Sequence, residues 1–229
     1  MRIAIIVAMG KELDLLLHQL ESPSTTTVDH FTFHRGTIGR HEVIAMQCGI
    51  GKVNAAMGTL TMIHSFHPQC VINTGVAGGV GGNVSVMDVV AGERVAYHDV
   101  WCGFDPDTEA GAVQGLPLYF RGSEMLLAAV PAADNVKRGL ICSGDQFIDS
   151  AERLDPITRR FPDAMAVDME SGAIAHVCHV MQVPFLSLRV ISDSPGANDD
   201  NTGQYNDFWT EAPQHTFALL KQMLAAVEA

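Results

Sequence analysis

The sequence predicts an α/β fold, in which strands alternate with helices and ligands gather at the strand ends. Three observations carry that reading. The runs Ala164-Met165-Ala166-Val167-Asp168-Met169-Glu170 and Arg189-Val190-Ile191-Ser192-Asp193 are apolar stretches that each end in a carboxylate where a strand should stop. Between them Ala173, Ile174, Val177, Cys178 and Met181 recur at helical spacing. The unit therefore reads strand, helix, strand: a parallel crossover whose exits carry Glu170 and Asp193. At the start of the chain, Arg2 to Ala8 is a continuous apolar run typical of a strand covered on both faces, and Leu13, Leu16, Leu17 and Leu20 mark one face of a helix after it.

With 229 residues, 47% of them hydrophobic and 17% charged, the chain can bury a full core as one domain, 1–229, and nothing in it demands two. A net charge of -12, with no run among its 14 Lys and Arg residues, argues against a nucleic-acid partner, which needs a basic face. Cys48, Cys70, Cys102, Cys142 and Cys178 are odd in number, widely spaced and lack a Cys-x-x-Cys pair. They read as buried thiols of a reducing compartment, the cytoplasm. The N-terminal apolar run is too short for a signal peptide or a membrane span, so no membrane association is expected.

In chain order, Glu12 falls in the first turn of the first helix, where an acid also complements the helix dipole. Ser22 to Asp29 reads as a polar loop. Phe31 to Ile38 and Glu42 to Cys48 read as strands joined at Gly39-Arg40-His41, a hairpin signal. Gly49-Ile50-Gly51-Lys52-Val53-Asn54-Ala55-Ala56 leads into a helix that extends to about Phe66; its glycines admit close approach of a ligand or of a packed strand. Gln69 to Thr74 is a strand running into Gly75-Val76-Ala77-Gly78-Gly79-Val80-Gly81-Gly82, expected as a small-ligand loop of amide donors. It is neither a Walker loop nor a dinucleotide fingerprint, because Gly-Lys-Ser/Thr is missing and no helix pattern follows.

Asp88 to Val95 reads as a strand, and the aperiodic span from Tyr97 to about Tyr119 has the length of a functional or interfacial connection. Its His98-Asp99 pair lacks a serine nucleophile motif or a second ligand cluster, so His98 is expected to be structural. A short helix, Ser123 to Val130, precedes a strand, Val136 to Cys142. In Ser143-Gly144-Asp145-Gln146-Phe147-Ile148, the last two residues either stack on a planar ring or close the core. Ala151 to Phe161 reads as a helix bent or begun afresh near Pro156. The chain ends in a Pro/Asn/Asp loop, residues 194–203, and a helix with Phe208, Leu219, Leu220, Met223 and Leu224 on its apolar side.

Acids thus arrive near Glu12, at Glu170 and at Asp193, with Arg189 as the nearby cation. Such a site suits a neutral or cationic ligand with hydroxyls, since one carboxylate accepts from both hydroxyls of a vicinal diol. Breaking an N-glycosidic bond needs negative charge beside an oxocarbenium-like centre, a proton for the leaving base and an oriented water. Three carboxylates in different environments can divide those tasks.

On these residues the chain resembles the 5'-methylthioadenosine/S-adenosylhomocysteine nucleosidases of the nucleoside phosphorylase superfamily. The likeness runs in order through Ile5-Ile6-Val7-Ala8-Met9 with Glu12, the Gly49 to Ala56 stretch and Asn73-Thr74-Gly75-Val76-Ala77-Gly78-Gly79. It continues through the Ser143 to Ile148 stretch, Ala166-Val167-Asp168-Met169-Glu170, Ala173-Ile174-Ala175-His176-Val177-Cys178 and Arg189 to Asp193. The resemblance implies a mixed, largely parallel central sheet flanked by helices and a homodimer. It also implies hydrolysis of the adenine-ribose bond of methylthioadenosine and S-adenosylhomocysteine, with 5'-deoxyadenosine a further candidate, without metal or organic cofactor.

In the same way it implies that Glu12 holds and activates the water, Asp193 helps protonate adenine N7, and Glu170 grips the ribose 2' and 3' hydroxyls. Phe147, Ile148 and Met169 enclose base and sugar. Met9, Ile50 and Phe208 line the side facing the 5' substituent, and Val76, Ala77, Gly78 and Arg189 complete the substrate contacts. Trp101, Phe104 and Pro117 reach the partner subunit's pocket. Two positions depart from the family pattern. Val76 stands where relatives often carry a serine beside the water, which leaves Arg189 with Glu12 to hold it. Asp168 replaces a common glutamate, with little effect expected because Glu170 is the diol ligand. Three rivals stay open: a purine nucleoside phosphorylase, which needs basic or hydroxyl groups for phosphate that the glycine stretch lacks; a futalosine-type hydrolase with a wider 5' pocket; and a non-catalytic nucleoside-binding protein, which has no need of Glu12 and Asp193 together.

Overall fold

The first apolar run forms β1 (Arg2–Val7), in which every residue from Ile3 to Val7 is fully buried. Alternation along the strand sends Ala4 and Ile6 into one core layer and Ile3, Ile5 and Val7 into the other. This is a computed structural model that describes residues 1–103, 109–196, 203–206, 208 and 213–228; of 213–217 it describes the backbone alone. β1 pairs in parallel with β4 (His41–Gln47) on one side and with β5 (Cys70–Gly79) on the other.

Beyond β4 the sheet continues through the antiparallel strands β3 (Phe31–Ile38) and β2 (Glu21–Val28). The stretch expected as a polar loop, Ser22 to Asp29, is therefore mostly an edge strand. Seven of the eight residues of β2 are exposed, so the apolar alternation that marks a half-buried strand is missing. Its pairing with β3, Thr25 opposite His34 and Thr27 opposite Thr32, holds it in the sheet.

On the other side, β5 pairs in parallel with β10 (Phe185–Asp193), buried at all nine positions, and β10 pairs antiparallel with β6 (Val89–Tyr97). β6 lies parallel to β8 (Val136–Ser143), and β8 lies parallel to β9 (Ala164–Asp168). β9 then returns antiparallel to the end of β5, Gly78 opposite Val167 and Gly79 opposite Ala166, which closes the five strands on themselves. The short β7 (Phe120–Arg121) adds to β6.

Two expectations change here. β9 and β10 do not form a parallel crossover: they flank β5 with opposite senses, and Gly78 pairs with Val167 of one and Asp193 of the other. Gly75 to Gly79 is not a loop after a strand but the end of β5 itself. Glycine is needed there for close packing: a Cβ on Gly78 would lie 2.8 Å from Pro195 Cγ, and one on Gly79 2.8 Å from Ile191 Cγ2.

Helices cover both faces. α2 (Lys52–Phe66) and α5 (Ser171–Met181) bury Ala55, Met62, Ile174 and Cys178 against the layer that holds Ile6, Phe33 and Met46. On the opposite face, α1 (Gly10–Leu17), α3 (Glu124–Ala129) and α6 (Pro213–Ala226) bury Leu16, Leu126 and Leu224. Each such apolar side chain contributes about 1.5–3 kcal/mol by leaving water. α4 (Ala151–Arg160) runs through Pro156 as one helix rather than restarting there. Phe208, expected on the terminal helix, precedes α6 and packs with Val89 and Val190. Among the described residues no helix is long and apolar enough to cross a membrane.

Candidate active site

The ends of β1, β5 and β10, the turn after β9 and the first turn of α1 converge on one cavity. Its walls include Met9, Glu12, Ile50, Val76, Ala77, Gly78, Phe147, Ile148, Met169, Glu170, Arg189 and Asp193, so the closed strand ring brings together all but one of the expected contacts. The exception is Phe208, which is buried in its own apolar cluster and does not line the cavity. Tyr205 lines it instead, with its hydroxyl 3.3 Å from Met9 Sδ and its ring edge-on to Phe147 at 5.7 Å.

Glu12 sits in the first turn of α1 and is 2% exposed. Its Oε2 accepts the N–H groups of Ala8 and Met9, each at 2.9 Å, and its Oε1 accepts the Val76 N–H at 3.2 Å. The bond back to Met9 is half of a capping box, so one side chain both starts the helix and faces the cavity. Burial raises its pKa above the ordinary 4.5, opposed by the Arg189 charge and by the three backbone donors. The Val76 amide thus serves Glu12 at the position where a serine hydroxyl is absent. Gly75 lets the acid and Arg189 approach β5, because a Cβ there would collide with Glu12 Oε1 and come within 2.7 Å of Arg189 Nη1.

Glu170 occupies the N-cap position of α5. Its Oε1 accepts the Gly51 N–H at 3.0 Å and its Oε2 lies 3.4 Å from Arg189 Nη2. Burial drives its pKa upward against the Arg189 charge, and the neighbouring Asp168 adds to the rise. Asp193, 2% exposed at the end of β10, accepts the Ser192 hydroxyl at 2.5 Å.

Arg189 is 1% exposed and forms a network that the sequence reading missed. Its Nη2 lies 2.5 Å from Asp168 and donates to Asn73 Oδ1 at 2.6 Å. Ser171 donates its hydroxyl to Asp168 and lies 2.7 Å from the Ser187 hydroxyl. Asp168, expected to matter little, is the carboxylate closest to the buried guanidinium. A signal was present: Asn73 and Ser187 are polar residues within buried strands, and such residues persist only where they find partners.

His98 is buried against Gly144, outside the cavity wall, and receives an Arg160 hydrogen bond at its backbone oxygen. Trp101, at 71%, and Pro117 are both exposed, while Phe104 lies outside the described residues.

A cavity ringed by four buried carboxylates and one buried arginine at the strand ends of an α/β sheet defines a ligand-binding α/β protein. The family described as the Phosphorylase superfamily matches residues 2–225. The 5'-methylthioadenosine/S-adenosylhomocysteine nucleosidase of Bacillus thuringiensis subsp. konkukian is 38% identical over 231 residues, 98% of each chain. The nucleosidase of that name from S. pneumoniae, solved with the transition-state inhibitor MT-ImmA, superposes with a TM-score of 0.92 at 34% identity and covers 100% of both chains. A futalosine hydrolase mutant of Helicobacter pylori gives a TM-score of 0.89 at 29% identity over 98% of each chain. The chain belongs to the phosphorylase superfamily, within its 5'-methylthioadenosine/S-adenosylhomocysteine nucleosidase family.

Proposed function

We propose that the chain hydrolyses the N-glycosidic bond of 5'-methylthioadenosine and S-adenosylhomocysteine. One observation carries the choice of water over phosphate: among the described residues lining the cavity the sole cation is Arg189, already paired to Asp168 and Glu170. A phosphate dianion would meet four carboxylates there and no unpaired cation among the described residues.

In this reading water lies between Glu12 and Arg189. Glu12 takes its proton as the water oxygen bonds to C1' and the bond from C1' to adenine N9 breaks. Asp193 delivers a proton to adenine N7, which leaves as neutral adenine with 5-methylthioribose as the other product. Glu170 accepts from the two ribose hydroxyls, and the carboxylates together favour the positive charge that develops on the sugar. Phe147, Ile148 and Met169 enclose the base and sugar, while Met9, Ile50 and Tyr205 face the 5' substituent.

Incubation with methylthioadenosine in phosphate-free buffer tests the reading. Adenine and free 5-methylthioribose are the expected products, whereas a requirement for phosphate with a sugar 1-phosphate product excludes it. The futalosine hydrolase likeness makes a futalosine-type nucleoside the second reading, decided by which of the two nucleosides has the higher kcat/KM.

A homodimer belongs to this proposal. Val53, Met57 and Leu60, at helical spacing on α2, form one exposed apolar face that follows Ile50 at the cavity, more than a monomer commonly leaves in water. A cytoplasmic location is supported by five free cysteines, four of them buried.

A further inference from the structure

Two segments of the cavity wall meet, and a charged cluster outside the proposed chemistry joins them. The first is the turn before α2, which sends Ile50 into the cavity and donates the Gly51 N–H to Glu170 Oε1. The second follows β8 and carries Phe147 and Ile148. Asp145 ties them together: its Oδ1 accepts the Lys52 N–H at 2.7 Å, and its own N–H donates to Asp99 Oδ2 at 2.8 Å. Lys52 Nζ donates to both Asp99 oxygens at 2.8 Å and lies 3.9 Å from Asp145 Oδ2.

The fit is close. Gly51 has φ +92°, and a Cβ on it would come within 3.0 Å of Asp145 Oδ1. Consecutive amides at the start of α2 therefore serve two carboxylates: Gly51 holds Glu170 inside the site, and Lys52 holds Asp145 outside it. Asp145 is 47% exposed, and pairs of that exposure add little to stability, so the tie acts on geometry.

We propose that Asp145 is a positioning residue for ribose recognition, one that fixes the Gly49–Lys52 turn so that the Gly51 amide holds Glu170 in its diol-binding orientation. The inference rests on the assignment of Glu170 to the sugar hydroxyls. Asp145→Ala removes the acceptor, whereas Asp145→Asn keeps a carbonyl for the Lys52 N–H.

The experiment measures kcat/KM for methylthioadenosine and its 2'-deoxy analogue with wild type, both Asp145 variants and Glu170→Gln. Asp145→Ala should lose about tenfold on the ribo substrate, the scale of one hydrogen bond to a charged group, and clearly less on the deoxy analogue. Asp145→Asn should recover most of the loss, with thermal midpoints close to wild type. A wild type that does not prefer the ribo substrate, or Glu170→Gln with an unchanged preference, overturns the role of Glu170 itself. With that role intact, Asp145→Ala that keeps the wild-type preference, or loses equally on both substrates, overturns the positioning role. Should Asp145→Ala not fold, Asp145→Leu removes the same acceptor while keeping side-chain bulk; a narrowed ribo preference supports the proposal and an unchanged one refutes it.

Discussion

Asp193, Glu170 and Glu12 each make a separate claim at the residue scale. Asp193→Asn keeps the shape and one acceptor but cannot pass a proton to adenine. Since general acid catalysis contributes about 10²–10⁴-fold, the variant should lose at least ~100-fold in kcat while still binding substrate. A substrate whose leaving group departs unprotonated should be spared, and equal damage on both would remove Asp193 as the acid. Glu170→Gln should cost the ribo substrate about 1.5–3 kcal/mol for each hydrogen bond to the charged group, and a 2'-deoxy substrate less. Glu12 must be a carboxylate to accept a proton, and burial raises its pKa above 4.5. The acid limb of kcat/KM should therefore lie above that value, a prediction that a limb at or below it contradicts. Stability follows with the opposite sense. The folded protein binds more protons than the unfolded chain between 4.5 and the raised pKa, so this contribution is full below 4.5 and is lost as pH rises through the folded value. Urea unfolding of Glu12→Gln should show a shallower decline than wild type as pH rises above 4.5.

At the scale of the element, β5 decides where the acids meet. Its ten residues pair with β10 along one edge and turn onto β9 at Gly78 and Gly79. Gly75→Ala places a methyl against Glu12 and Arg189, both nearly fully buried and unable to retreat into solvent. Overpacking of this kind costs about 1–3 kcal/mol, so a lower thermal midpoint and a marked loss of kcat are expected. Gly82→Ala, with nothing within 4 Å of the added Cβ, serves as the control and should change neither. A Gly75→Ala enzyme with full activity would mean that Glu12 and Arg189 do not need their present approach to the strand.

For the whole molecule, the open question is what covers α2. Val53, three residues beyond the cavity-lining Ile50, is 69% exposed. In a monomer Val53→Asp is a surface change worth within about ±0.5 kcal/mol. In a homodimer the same change buries a charge and should dissociate the pair, lowering activity at assay concentration. Sedimentation of wild type and variant separates the cases; an active wild-type monomer would remove the dimer.

Local pattern was enough for the α/β class, for β1, β4, β8 and β10, for the helices α2 and α5, and for placing Glu12, Glu170, Arg189 and Asp193 at strand or helix ends that share one cavity. Apolar runs that end in acids report a buried strand and a polar exit whatever lies beside them. Contacts between distant segments were beyond that pattern. β2 belongs to the sheet because of β3, not because of any buried face of its own. The ring closes because β9 meets β5, and Asp168 matters because Arg189 and Asn73, 116 residues apart, meet beside it. Tyr205 rather than Phe208 reached the cavity although both are aromatic residues of one short stretch. Periodicity records how each residue relates to its own element, whereas pairing partners, the network around a buried charge and the aromatic at a cavity wall depend on which elements pack together, and only the tertiary structure decided that.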